Sequence, residues 1–354
     1  MNAPPAAAAQ APRDLGAPIE ALAAAALFGA AAPLSKLLVY SLPALQLAGL
    51  LYVGAAFAVA PLALRRSTAP MRLDVRNSRR LAGVVLLGGV AAPILFLLAL
   101  RIADAGSVAL LLTVEVALTA VLGALFFRDP LGRRGWAGVI GIVAASALVA
   151  WGGGAPGVLT AALVSAACLF WALDNHWTAL IDALSPAQTT LVKGAVAGAV
   201  NLALALWLTD SLPSLGEAGA ALAIGAACYG CSLVLYIRAA QRIGAVRAQA
   251  TFATAPFWGV GLSAVVFNEG LTIAAAIAMG LAAGSVLLLL RDQHAHAHRH
   301  LAVAHTHEHR HDDGHHLHAH AAGEAGQTHT HAHAHDELEH AHRHRPDLHH
   351  RHEH

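Results

Sequence analysis

Charge is scarce in this sequence. Of 354 residues only 12% are Asp, Glu, Lys or Arg, against 57% hydrophobic, and the mean hydropathy is +0.57. That balance lies outside the range of ordinary soluble domains. Cysteine is nearly absent: Cys168, Cys228 and Cys231 all fall in apolar runs, which excludes a disulfide scaffold. The phosphate-cradling pattern GxxxxGK[ST] is missing, so the usual warrant for ATP-driven pumping is missing too. No nucleophile, base and orienting group gather in one polar setting, which argues against an enzyme, and no nucleic-acid partner is expected. The leader MNAPPAAAAQAPRDLGAP has no compact charged start before an apolar core. Residues 1–18 are therefore expected to form a disordered cytoplasmic arm rather than a cleaved signal peptide.

What the chain has instead is apolar runs of membrane-crossing length. Between residues 19 and 290 we count about ten, near 19–40, 43–64, 81–100, 106–127, 135–151, 157–180, 187–208, 219–237, 245–267 and 272–290. Each holds roughly 20 residues, enough to cross a ~30 Å hydrocarbon layer at 1.5 Å per residue. Lipid offers no partner to an open backbone and the runs lack strand alternation, so the expected class is an all-α integral membrane protein.

Positive residues select the inner side of short loops. With the N-terminus inside, the inner loops receive Arg13, then Arg65, Arg66, Arg72, Arg76, Arg79 and Arg80, then Arg128, Arg133 and Arg134, then Arg238, Arg242 and Arg247, while the outer loops receive only Arg101. Both termini are expected in the cytoplasm, in a multi-pass protein of the cell (inner) membrane. The second half also repeats the first. A shift of 140 residues lays VLGALFFRDPLGRRGW (121–136) over GLSAVVFNEGLTIAAA (261–276), matching Leu122 with Leu262, Phe127 with Phe267 and the acid Asp129 with the acid Glu269. The first turn carries three arginines and the second none. Five spans per copy is an odd number, so the copies lie in opposite orientations, an arrangement that builds secondary transporters with the solute site between the halves. The predicted domains are a first five-span repeat over 19–151, a second over 152–290, and a disordered tail over 291–354.

Three stretches carry a family resemblance: LFGAAAPLSKLL (27–38), LLTVEVALTAVLGALFFRDPLGRRGWAGVIGIVAASALVAW (111–151) and TAPFWGVGLSAVVFNEGLT (254–272). The chain resembles the drug/metabolite transporter superfamily in its ten-span, two-repeat EamA form. FWALDNHWTAL (170–180), LVKGAVAGAVNLALAL (191–206) and the closing DLHHRHEH are similar to a branch with histidine-rich C-terminal tails. The resemblance implies an exporter or exchanger of small metabolites with cytoplasmic termini and no required cofactor; it implies no particular solute. The family often has Glu-Pro in its fourth span where this chain has Glu115-Val116, and the second copy has Ala255-Pro256. A break in the fourth span is thereby put in question.

An ionisable group inside a span costs about 2.5–3.5 kcal/mol on insertion scales and asks for a partner or a purpose. The candidates for the solute pathway are Lys36, Glu115, Asp174, Asn175, Lys193 and Asn201. By rise per residue Lys36 and Glu115 lie roughly 8 and 13 Å below the outer surface, and Asp174 and Lys193 about 9 Å from the inner one. The two charge pairs are expected in opposite halves, Asp174 facing Lys193 across the short turn at Ser185-Pro186. Glu115 is the deepest acid, and a desolvated carboxylate can take up and release a proton as access alternates. Gln46, Gln249, Thr251 and Thr254 either line a cavity or bind helix to helix, and Gly194 and Gly198 form a GxxxG packing motif. CYGC (228–231) puts two thiols at i and i+3 on one helix face, a spacing read as small-residue packing before soft-metal binding.

Of 24 histidines, 23 lie between His294 and His354, leaving His176 alone among the spans. Neutral imidazole is the commonest ligand for Zn, Ni, Cu and Co, and the cluster His329, His331, His333, His335, His340, His342 and His344 lets one chain wrap an ion. From Arg291 onward six arginines face ten acids, a net of −4, so the tail is not a constitutive polybasic lipid anchor. A pH-dependent contact with lipid, or no selected task, are the other readings of the tail. Three functions stay open: a metabolite transporter, proton-coupled through Glu115, with a metal-binding tail; a divalent Ni, Co or Zn efflux protein; and a membrane-tethered metal buffer or sensor. The partners expected are the bilayer, a small solute, and metal ions at the tail.

Overall fold

A computed structural model describes residues 16–65, 74–126, 131–152, 154–181, 184–209, 211–243, 251–270, 272–291, 294–300, 303–309, 329–335 and 338–344. The chain divides into two compact units, Met1–Asp292 and Gln293–His354.

Every described element of the first unit is helical. Eight helical segments are long and apolar enough to cross a membrane: α1 (Gly16–Lys36), α2 (Ala44–Leu64), α3 (Val75–Ile102), α4 (Ala105–Phe126), α5 (Arg133–Trp151), α6 (Gly157–Thr178), α7 (Ala187–Leu208) and α8 (Leu215–Ala239). Two shorter apolar helices follow, α9 (Ala255–Phe267) and α10 (Ile273–Leu289). Where ten spans were expected, the described residues hold eight helices of spanning length and two that are shorter. The predicted ninth span starts on residues 244–250, which lie outside the described residues.

Caps set the helix starts. Asp74, Asp104, Ser185, Ser214 and Thr272 each accept a backbone N–H three residues on, and Ser185 with Gln188 and Ser214 with Glu217 close capping boxes. Large apolar side chains such as Phe57, Leu64, Ile140 and Trp207 face outward, as a lipid-bathed surface requires, while Phe96, Leu97, Leu100 and Ile142 fill the interior.

The packing follows the repeat. α1 lies on α8 and α9, and its counterpart α6 lies on α3 and α4; α2 pairs with α7, α4 with α9 and α5 with α10. Each contact thus recurs when the halves are exchanged, or joins a helix to its own counterpart. The α2–α7 seam uses the predicted motif: a Cβ on Gly194 would stand 2.8 Å from the Tyr52 carbonyl oxygen, and one on Gly198 2.7 Å from Val53. No larger residue allows that approach.

Two further features recur. Residues Val84–Ala91 of α3 and Gly225–Cys231 of α8 form π-helix, 140 residues apart to within one position. α4 is interrupted at Leu112, and the chain turns at Ala253–Thr254 before α9. In both places a threonine hydroxyl returns to the carbonyl three residues back, Thr113 to Leu110 at 2.8 Å and Thr254 to Thr251 at 2.7 Å. The break in the fourth span therefore exists without the proline.

In the second unit, β1 (His294–His300) pairs antiparallel with β4 (Leu338–His344), and β2 (Val303–His309) with β3 (His329–His335). The register sets His296 opposite His342, His298 opposite His340, His305 opposite His333 and His307 opposite His331. The every-other-residue histidine pattern of these four segments has the period of a strand.

Candidate solute site

The site starts from the π-helical stretch of α3, VVLLGGVA. A π-turn loosens the regular i to i−4 ladder, and carbonyls at such a bulge look for other donors. Three side chains supply them. The Tyr52 hydroxyl of α2 and the Trp171 indole N–H of α6 both donate to the Gly88 carbonyl, at 2.6 and 3.1 Å, and Asn201 Nδ2 of α7 donates to the Gly89 carbonyl at 3.0 Å. The irregular segment of α3 is thereby tied to α2, α6 and α7 together. Gly88 also yields room: a Cβ there would stand 2.2 Å from Asp174 Oδ2.

Asp174 is the acid behind that glycine. It is 3% exposed, forms an ion pair with Lys193 of α7, and accepts from the Thr178 hydroxyl at 3.2 Å. The Lys193 ammonium stands 5.9 Å from the centre of the Tyr52 ring, a cation–π arrangement. The next residue, Asn175, points to α4, where its Nδ2 donates to Glu115 Oε1 at 2.8 Å. His176 then places Nε2 2.9 Å from the Thr119 carbonyl oxygen, again on α4. Three consecutive side chains of α6 thus reach α7 and α4. Glu115 sits three residues past the Leu112 interruption and, among the described residues, is in no ion pair.

Of the six predicted pathway residues, the structure gathers Glu115, Asp174, Asn175, Lys193 and Asn201 around α3 and α6. The expected division of charges between two halves does not hold for Glu115 and Asp174, which adjacent residues of α6 bring side by side. Rise along separate helices ignored where α4 and α6 cross. Lys36 is elsewhere. Its ammonium donates to the Leu100 carbonyl, to the Ala103 carbonyl at 2.6 Å and to the Tyr40 hydroxyl at 2.8 Å, while Arg101 donates to the carbonyls of Val39 and Leu42 at 2.9 and 2.8 Å. α1 and α3 thus cap each other's C-terminal carbonyls with a cation apiece, which the macrodipole favours.

Gln46 donates to the Ser211 carbonyl and the Thr209 hydroxyl, joining α2 to the end of α7. Gln249 lies outside the described residues. Cys228 is buried and Cys231 exposed, so the expected shared face fails; CYGC falls in the π-helical stretch of α8, where three residues no longer make nearly a full turn. Among the described residues no three His, Cys, Asp or Glu are grouped to hold a metal, and the tail histidine side chains lie outside that description. Tyr52, Trp171 and Gly88 were not anticipated. The Gly88-Gly89 pair before the α3 proline, Pro93, was the one legible hint of an irregular span.

The EamA-like transporter family matches residues 17–151 and again residues 158–291. The chain belongs to that family. The two matches are the two halves related by the packing above, and membership makes this a multi-pass membrane protein of general transport function, in a family of transporters rather than enzymes. An "Uncharacterized transporter" of Methanothermobacter thermautotrophicus is 29% identical over 294 residues, covering 75% of this chain and 83% of that protein. A crystal structure described only as that of a protein aligns with a TM-score of 0.58 at 16% identity, over 77% of this chain and 96% of that one. At that identity the likeness concerns the fold. The EamA-like chain therefore has its transport class from its family, and its candidate site from its own side chains.

Proposed function

We propose that this EamA-like protein is a secondary active transporter that exports or exchanges a small polar metabolite through ten spans by alternating access, with Glu115 as its coupling carboxylate. Both termini face the cytoplasm in the cell membrane, as the arginine bias supports. The observation that carries the reading is the Glu115–Asn175 bond beside the Asp174–Lys193 pair. A carboxylate that, among the described residues, is held by an amide and by no cation, next to a satisfied ion pair and at a helix interruption, can exchange its amide partner for a solute or a proton without stranding a charge. Tyr52, Trp171 and Asn201 hold the adjoining π-helical backbone and so shape the wall against which a solute docks.

The tail acts as a cytoplasmic holder of transition metal. Its support is composition and the histidine register of the paired strands; neither routes metal through the spans, where His176 is the sole imidazole and is engaged with the Thr119 carbonyl. Flux in proteoliposomes tests the reading. The full chain and a chain lacking residues 292–354 are expected to move the same organic solute, and Glu115→Gln to lose the dependence of that flux on a pH gradient. Flux of Ni, Co or Zn alone would favour metal efflux, and no flux with metal tolerance residing in the tail would favour the tethered buffer.

A further inference from the structure

We propose that Glu269 is a gating residue, a carboxylate latch that holds α4 and α9 together at one end of the transport path and must release for that end to open. α9 ends at Phe267, and Asn268 follows in the left-handed conformation with φ 52° and ψ 35°. Asparagine tolerates that conformation better than most residues. The turn sends the next side chain back across the repeat boundary. Glu269 Oε1 accepts from the Ala105 backbone N–H at 3.1 Å and Oε2 accepts from the Gly106 N–H at 3.0 Å. Two of the orphan donors at the start of α4 are taken by one carboxylate from the other half of the molecule, a charge-assisted two-point bond.

Three observations place this bond at a moving contact. The triplets α1/α8/α9 and α6/α3/α4 meet at this end along two seams: α4 packs on α9 through residues 105–111, ahead of the Leu112 interruption, and the end of α1 packs on α3 and α4, where Lys36 and Arg101 make their carbonyl bonds. The contact is tight, since a Cβ on Gly259 of α9 would stand 2.8 Å from the Ala109 Cβ. Beneath the latch, Ser263 is fully buried, and its hydroxyl has no partner among the described residues. Its Cβ lies 3.6 Å from where a Gly106 Cβ would stand. Parting α4 from α9 breaks both Glu269 bonds and exposes Ser263, while the Lys36 and Arg101 bonds hold α1 to α3 beside them. Asp104 does not substitute, because its carboxylate already accepts the Ser107 N–H at 2.6 Å.

This inference rests on the alternating-access reading above, and side-specific thiol labelling separates the two. The protein is the full chain with Cys231→Ala, carrying Ser263→Cys as reporter; a parallel Gly270→Cys chain reports which side of the membrane the loop occupies. The probe is a membrane-impermeant maleimide added to one side at a time. Glu269→Ala is expected to raise labelling at position 263 about tenfold or more from the side that labels position 270, on the scale of a lost charge-assisted bond. Gly106→Ala, whose Cβ would stand 3.0 Å from Glu269 Oε2, is expected to raise it in a chain that keeps Glu269 and to add little once Glu269 is gone. Equal labelling with and without Glu269, while position 270 still labels normally, overturns the latch. Labelling of position 270 from the cytoplasm overturns the proposed orientation and leaves the latch to be judged on the cytoplasmic side.

Discussion

Asn175 Nδ2 donates to Glu115 Oε1 at 2.8 Å, and the residue before it, Asp174, is paired with Lys193. One turn of α6 therefore presents a neutral amide to one acid and an acid to one cation. The two acids differ in what their loss does.

Glu115→Gln keeps the hydrogen-bonding shape and removes the titrating group. The fold is expected to change by about 1 kcal/mol or less, since an amide-to-amide bond replaces an amide-to-carboxylate bond. Solute flux should become insensitive to an imposed pH gradient, measured in proteoliposomes. Unchanged pH-dependence in Glu115→Gln would remove Glu115 from the coupling step.

Asp174→Ala leaves the Lys193 ammonium, whose side chain is mostly but not fully buried, without its counter-ion, a loss of up to about 3–5 kcal/mol, the range for buried pairs broken one-sidedly. The double change Asp174→Leu with Lys193→Met should recover most of it. Thermal stability in detergent reads the difference. If the double variant is as unstable as the single one, the pair is not what stabilises this crossing.

Gly88→Ala puts a methyl 2.2 Å from Asp174 Oδ2, and Asn201→Leu strips the donor from the Gly89 carbonyl. Overpacking of this kind costs about 1–3 kcal/mol, and an orphaned buried carbonyl a similar amount. Both changes act on the π-helical stretch of α3, so amide hydrogen exchange should rise across Val84–Ala91 and stay level in α5 and α10.

Which parts of this architecture were readable beforehand follows from the range of each interaction. The repeat was readable because Leu122, Phe127 and Asp129 recur as Leu262, Phe267 and Glu269, and Gly194 with Gly198 named their seam because small residues at i and i+4 have few other uses in a span. Glu115, Asp174 and Lys193 stood out as charges among apolar residues. The Asp174–Lys193 pair was also readable, from the short turn that joins their helices, but the approach of Glu115 to it was not, because that depends on where α4 crosses α6, which no single helix encodes. The π-helical stretches were hidden for a related reason: VVLLGGVA and GAACYGC carry no residue that forbids an α-helix, and donors from Tyr52, Trp171 and Asn201 stabilise the first only after packing. Lys36 looked like a pathway charge because its actual partners, the carbonyls of Leu100 and Ala103, are backbone and leave no mark in the sequence.

Deleting residues 292–354 removes every histidine except His176. Equilibrium binding of Ni or Zn to purified protein should fall to a small fraction of the full chain's, and should fall in the full chain as well when pH drops below about 6.5 and the imidazoles protonate. Undiminished metal binding after the deletion would relocate the metal to the spans.

The most direct test of the transporter account is the paired metabolite and elemental content of cells expressing the full chain, the chain lacking residues 292–354, and Glu115→Gln. The account predicts that one class of small organic solute is altered equally by the first two and left unaltered by the third, while bound metal follows the tail alone. A change confined to Ni, Co, Cu or Zn that vanishes with the tail, with no organic solute moved by any of the three, would contradict it.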